Sequence, residues 1–427
     1  MRMPKLLQNR VTVNAVWLIA GKMAHMLLSF LIGLLTARYL GPDNFGLINY
    51  AGAYGTFFAA LCTLGINSII VKNFIDHPEE EGKTIGTTLI LRGVSSLLSA
   101  LLIVGIVAII DRGEPLTLAV VALYSIGLIF QIFDTLNYWF QARLQSKYYA
   151  MATLGSFILV SIYKVLLLIL GKSVRWFAIS NAIDYAIVGL VVFWIYKKKG
   201  GPRFSFSTAK ARELLGQSHS FIVTGLMVAV YASTDRLMLK QMMDGASVAY
   251  YSLAVSFSSS WGFLLSAVID SMTPDIMRKH QRNQEEYTRS NRRMYALVFY
   301  IAVIVSAIVS LFAPWLIHFL YGAEYAPTVA PLRIVVWYTA FSYLGVARNA
   351  WIVCEGRQKY LQVLYLCAAI TNVGLNLLLI PNWGAAGAAM ASLITQIATI
   401  LIIPVFVPSL RENAKLMINS IFLRGVF

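Results

Sequence analysis

Lys197-Lys198-Lys199-Gly200-Gly201-Pro202-Arg203, running on to Lys210 and Arg212, is a short basic island near the middle of a 427-residue chain that is 58% hydrophobic. On either side the same pattern plays out, six long apolar runs separated by brief polar turns. Each run has about twenty residues or more, enough to cross a bilayer as a helix. Mean hydropathy is +0.69 and only 13% of residues are charged, outside the range of soluble globular chains. The island therefore reads as a linker between two membrane-embedded halves. The fold expected is an all-α polytopic membrane protein of about twelve transmembrane helices in two six-helix lobes. The lobes fall at 1–196 and 214–410, with a basic linker at 197–213 and a tail at 411–427.

The predicted spans of the first half are 11–39, 44–75, 84–110, 115–140, 149–170 and 174–196. Those of the second are 214–242, 247–274, 289–320, 327–354, 360–380 and 385–407. The first run contains Lys22 and is too long for the apolar core of a signal peptide, so it is expected to stay as the first span. With the N-terminus inside, roughly 24 of the 35 basic residues fall on the cytoplasmic side, about seven on the far side and four within helices. That bias places both termini in the cytoplasm. It also accounts for the net charge of +16 without nucleic acid.

No outward loop exceeds about a dozen residues, which leaves no room for an extracytoplasmic domain. No nucleophile–base pair and no phosphate-binding glycine loop stands out, so an enzyme is not expected. Cys62, Cys354 and Cys367 are scattered through apolar runs without paired spacing, so neither a disulfide, a metal site nor a cofactor is expected.

The two halves also echo each other. Asn137-Tyr138-Trp139 with Lys147-Tyr148 matches Asn349-Ala350-Trp351 with Lys359-Tyr360 in the same register. More weakly, the stretch from Gly41 to Gly46 matches Asp244 to Ala249. Six helices is an even number, so both halves face the same way. Their pseudo-twofold runs along the membrane normal, with a cavity between the lobes.

The chain resembles the Wzx-type O-antigen and polysaccharide flippases of the multidrug/oligosaccharidyl-lipid/polysaccharide exporter superfamily. The residues that carry the likeness are Ala37-Arg38-Tyr39-Leu40-Gly41-Pro42-Asp43-Asn44-Phe45-Gly46-Leu47, Thr234-Asp235-Arg236-Leu237-Met238-Leu239 and Tyr250-Tyr251-Ser252-Leu253-Ala254. Leu375-Asn376, Leu379-Ile380-Pro381 and the small-residue run from Gly384 to Ala389 complete it. The resemblance implies a bacterial inner-membrane protein that turns undecaprenyl-diphosphate-linked oligosaccharide to the outer leaflet by alternating access through a cationic cavity. It further implies membrane lipids, a polysaccharide polymerase and chain-length proteins as partners.

Charged side chains inside a bilayer cost at least ~2.5–3.5 kcal/mol each and need a partner, water or a function. Arg92 and Arg348 low, Lys22 and Lys164 central, and Arg38 and Arg236 high make a ladder suited to a diphosphate. Such a headgroup crossing bare hydrocarbon would cost on the order of tens of kcal/mol. The bland alternatives are snorkelling for Arg38, Arg92, Arg236 and Arg348, and a simple Lys164–Asp184 pair at matched depth. Asp134, Asp184, Asp235 and Asp270 are candidates for ion or proton coupling. A cation-coupled multidrug exporter of the same superfamily and a lipid II flippase are the rival readings, with a glycan polymerase behind them. Lys22 and the lack of acids in the first three spans favour an anionic cargo.

Overall fold

The computed structural model describes the backbone of residues 10–425, with side chains at Met26 and from Leu28 to Gly425. It is helical throughout, with no strand among the described residues. The first half comprises α1 (Arg10–Thr63), α2 (Asn67–Asp76), α3 (Glu81–Ile110), α4 (Pro115–Phe130), α5 (Asp134–Ala142), α6 (Lys147–Ile169) and α7 (Val174–Lys198). The second comprises α8 (Thr208–Met242), α9 (Gly245–Ser260), α10 (Gly262–His280), α11 (Gln284–Tyr321), α12 (Val329–Cys354) and α13 (Lys359–Ile397). Two short helices follow, α14 (Ile403–Phe406) and α15 (Arg411–Ile421).

Ten helical stretches among the described residues are long and apolar enough to cross a membrane. Two of them, Leu28–Asp76 and Lys359–Phe406, hold 49 and 48 residues, far more than the roughly twenty that one crossing takes. Each doubles back at a glycine with positive φ, Gly41 at 72° and Gly384 at 51°. A side chain would be strained there, and Pro42 directly after Gly41 removes a helical donor. Counting each as a pair gives twelve crossings. The predicted second and eighth spans are both broken, the second near two-thirds of its length at Leu64–Gly65 and the eighth near its middle at Trp261. The two broken spans are the second of each half.

The internal repeat extends to the backbone. After Trp139 the Gln145 N–H donates to the Phe140 carbonyl at 2.8 Å, with Leu144 at φ 56°. After Trp351 the Arg357 N–H donates to the Ile352 carbonyl at 2.9 Å, with Gly356 at φ 62°. Both are six-to-one helix terminations built around a left-handed residue.

The chain alternates between two ends of the bundle. At the end opposite the island lie the Gly41 and Gly384 turns, residues 111–114 and residues 322–328. There one apolar core joins the halves, uniting Ala37, Tyr50 and Val120 with Leu239, Val248 and Leu332. At the island end the halves hold separate cores. Ile70, Trp139 and Tyr196 centre one, and Ile276, Tyr295 and Trp351 the other. Exposed Trp176, Trp315 and Trp383 ring the far end and Trp194 the island end, where indole rings suit a membrane interface.

The island does not hang free. The Ser205 N–H donates to the Gly82 carbonyl at 3.1 Å, and the Ser207 N–H to Thr87 Oγ1 at 3.0 Å. Lys210 Nζ is 2.7 Å from Asn73 Oδ1 and 3.0 Å from Glu80. Leu214, expected to open the second lobe, is buried in the first lobe's core. The linker and the first turns of α8 thus lie on the N-terminal lobe, and α8 carries the chain across.

Candidate functional site

Four cavities form a chain across the two lobes. One of about 260 Å³ lies inside the N-terminal lobe, lined by α1, α4, α6 and α7. It shares Ser29, Gly33 and Phe45 with a cavity of about 460 Å³ between α1 and α9. That one shares Ser259 with a cavity of about 240 Å³ inside the C-terminal lobe. Tyr231, Ala232 and Tyr338 then lead to a fourth, of about 310 Å³, toward the island end. The chain has charged groups in both lobes.

In the N-terminal cavity Lys164 and Asp184 face the same space but form no ion pair. Ser156 Oγ donates to the Asp184 carboxylate, whereas the Lys164 ammonium has no side-chain partner among the described residues. In the C-terminal cavity Asp235 is 4% exposed and caged by neutral donors. Tyr251 OH and Ser392 Oγ donate to Oδ2, the latter at 2.6 Å, and Asn376 Nδ2 donates to Oδ1 at 2.6 Å. Arg236 lines the same cavity, yet its Nε donates to Ser252 Oγ at 3.1 Å, leaving Asp235 without a cationic contact. A buried carboxylate held this way suits a proton or a small monovalent cation.

Arg348 lines the fourth cavity. It is 5% exposed, NH1 reaches the Thr399 carbonyl at 3.4 Å, and Nε has no partner. Thr399 belongs to a π-helical turn, Ala398–Ile402, of the kind often found at functional sites.

The remaining predicted residues are placed differently. Arg92 is buried within the N-terminal lobe and donates to Asn67, to Thr135 at 3.3 Å and to the Thr63 carbonyl at 3.4 Å. It pins α3 to the break that follows α1. Arg38 donates to the Phe319 carbonyl and so ties α1 to α11 at the far end. Asp134 accepts from Tyr149 at 2.8 Å, inside the N-terminal lobe. Asp270 is exposed on α10. The side chain of Lys22 lies outside the described residues. Among the described residues no cluster of three or more His, Cys, Asp or Glu is placed to hold a metal ion.

Sequence reasoning missed the neutral partners. Asn372 and Asn376 stand one turn apart in an otherwise apolar helix, and that spacing could have flagged a shared polar face. It also missed the far-end seal. Gln241 donates to Tyr50 OH at 2.7 Å and to Asp111 at 2.8 Å, Lys240 bridges Glu114 at 2.8 Å, and Tyr325 OH donates to the Ala37 carbonyl at 2.7 Å. Lys240 and Thr117 hold the Glu114 carboxyl below its ordinary range by hydrogen bonding. Gly46 meets Gly245 so closely that a Cβ there would lie 1.8 Å from the Gly245 carbonyl oxygen. The two segments that echo each other in sequence therefore touch at the interface.

The fold matches those of several solved membrane proteins. The chain is 16% identical to the lipid II flippase MurJ in an inward closed conformation, with a TM-score of 0.73 over 96% of this chain and 92% of that one. Against an inward-facing multidrug resistance MATE family transporter of the MOP superfamily the TM-score is 0.67, at 16% identity, over 92% and 96%. A MOP superfamily transporter from Pyrococcus furiosus, described as having a binding pocket of reversed polarity, gives 0.61 at 15% identity over 93% and 94%. No curated protein sequence matches the chain. The profile of one family, described as polysaccharide biosynthesis protein, matches residues 35–330, more than half of the sequence. The resemblance read from the hairpin at Gly41 and the run at Asp235 is thereby borne out, and the chain belongs to the polysaccharide biosynthesis protein family.

Proposed function

We propose that this membrane protein turns undecaprenyl-diphosphate-linked oligosaccharide repeat units, the precursors of O-antigen, capsule or exopolysaccharide, from the cytoplasmic to the outer leaflet of a bacterial inner membrane. The observation that carries the reading is the chain of cavities between and within the lobes. It holds Lys164 on one side and Arg236 and Arg348 on the other, in a member of a polysaccharide family. Arginine supplies a fork suited to phosphate oxygens and lysine a point charge for other oxygens of the headgroup, so the headgroup can cross between the lobes without entering hydrocarbon unpaired. The basic island marks the cytoplasmic end. The bundle is then shut outside and separate inside, the loading state of an alternating-access cycle.

Asp235 is the coupling group in this reading. Its cage of hydroxyls and an amide can hold a proton or a sodium ion, in the same cavity that Arg236 lines. Depletion of the protein should cause lipid-linked repeat units to accumulate on the inner leaflet, where a lectin added to intact spheroplasts cannot reach them. Normal surface glycan after depletion would sink the reading. A cation-coupled drug exporter is the second reading, because Asp184 and Asp235 line the same cavities. It predicts drug resistance on expression and no glycan phenotype.

A further inference from the structure

The two lobes present different chemistry to the cavity. The N-terminal pocket is walled by Phe157 and Phe177 and carries Tyr124, Ser161, Asn181 and the Lys164–Asp184 couple. Tyr124 OH, Ser161 Oγ and the Lys164 ammonium have no hydrogen bond from the described protein, and the Asp184 carboxylate accepts only from Ser156. A phosphate site would concentrate cations. This pocket instead sets one cation against one carboxylate, among hydroxyl, amide and aromatic groups. A few convergent donors and acceptors on largely apolar walls fit a neutral or singly charged polyol ring, whose faces lie on aromatic planes while its hydroxyls reach the polar groups. At about 260 Å³ it sits just below the roughly 300–1,000 Å³ of sites for drug-sized ligands, so it suits one ring rather than a repeat unit. The pocket connects through Ser29, Gly33 and Phe45 to the cavity between α1 and α9, and through Ser259 to the one that Arg236 of the other lobe lines.

We infer that the N-terminal pocket reads the sugar, holding the ring attached directly to the diphosphate, while Arg236 across the interface holds the diphosphate itself. Asp184 accepts from ring hydroxyls, and Lys164 meets a carboxylate, acyl or hydroxyl oxygen on the same ring. The lobes thus divide the substrate, and selection among lipid-linked glycans resides in the N-terminal one. This rests on the flippase reading.

The test measures binding by the full-length protein in detergent. The probes are bare undecaprenyl diphosphate and undecaprenyl diphosphate carrying one N-acetylglucosamine, glucose or galacturonic acid. At least one sugar-bearing lipid should bind the wild type about tenfold more tightly than the bare lipid, the scale of one good charge-assisted hydrogen bond. Lys164→Met and the near-isosteric Ser161→Val should each pull that ratio toward one. Arg236→Gln should weaken all the lipids together and leave the ratio in place. If Lys164→Met fails to fold, Ser161→Val carries the test. A wild-type ratio near one for every sugar, or a ratio untouched in Ser161→Val, overturns the inference while the flippase reading stands. If the wild type binds no prenyl diphosphate at all, the flippase reading falls and the sugar pocket with it.

Discussion

At the far end of the bundle the two lobes share one core, and at the island end each keeps its own. The contrast extends to individual contacts. Far-end contacts run directly from lobe to lobe, through Tyr50, Asp111 and Gln241 and through the backbone approach of Gly46 to Gly245. At the island end the linker is bound to one lobe only, by Ser205, Ser207 and Lys210. Lobes that share a core at one end and hold separate cores at the other, where α8 packs across them, are arranged to pivot. The apolar far-end core must part for the opposite state to form, and burial of that kind contributes about 25 cal/mol per Å².

The largest effect should come from wedging the sealed end. Gly46→Val puts a branched side chain where even a Cβ would overlap the Gly245 carbonyl. It should hold the lobes apart and cut glycan export by more than about tenfold, since a small misplacement of a packed element costs that much. Labelling of a cysteine placed at Ala249, buried in the far-end core, with an impermeant maleimide should rise in parallel. Export and labelling both unchanged would mean that the far end is no gate.

The island end can be probed at its two tryptophan corners, which share a backbone but not their partners. Trp139 Nε1 donates to Glu81 Oε2 at 2.8 Å, and Arg143 reaches the same oxygen at 2.7 Å. Trp351 Nε1 is buried with no partner. Trp139→Phe should therefore cost more stability than Trp351→Phe by about 2 kcal/mol, one lost hydrogen bond set against one relieved orphan donor. Comparing their melting temperatures in detergent measures the difference.

A smaller effect is expected at the turns beyond those corners. Leu144 is 94% exposed and sits in the left-handed region that Gly356 occupies in the other lobe. Leu144→Gly should stabilise by about 0.5–1 kcal/mol, and Gly356→Ala should destabilise by about 1 kcal/mol. Shifts of the same sign would break the proposed equivalence of the two turns.

The smallest effect concerns Glu114 and Lys240. This half-exposed bridge is worth about 0.2–1 kcal/mol to the sealed state. Because Glu114's carboxyl is depressed in the sealed state, its contribution is present above the ordinary carboxylate range and is lost as pH falls through the lowered value. Maleimide labelling at the far end should thus be flat around neutrality. It should rise only in acid, and Glu114→Gln should abolish the rise.

Most of the fold was legible in the sequence, because apolar runs of bilayer length are a one-dimensional signal. The repeat was legible too, from Asn137-Tyr138-Trp139 and Asn349-Ala350-Trp351. Breaks at Gly65 and Trp261 were not read, although the glycine at 65 and the run Ser258-Ser259-Ser260-Trp261-Gly262 carry the signals of a helix end. Within the site, Lys164, Asp184, Asp235, Arg236 and Arg348 could be picked as charges out of place, and the structure puts all five on the chain of cavities. Arg92 gave the same signal, yet its hydrogen bonds lie within its own lobe. A lone arginine in an apolar run does not reveal whether Asn67 or open space will meet it. Neutral partners such as Tyr251 and Ser392 carry no signal until the helices are assembled.

The central claim is that the cavity between the lobes carries a lipid-linked oligosaccharide across the bilayer. The direct measurement is flipping in proteoliposomes, followed as the fraction of undecaprenyl-diphosphate-linked oligosaccharide open to periodate in the outside medium. The wild type should exceed protein-free liposomes by at least about tenfold, and the double variant Lys164→Met/Arg236→Gln should fall back to the protein-free rate. A wild-type rate no faster than empty liposomes, or a double variant as fast as the wild type, would contradict it.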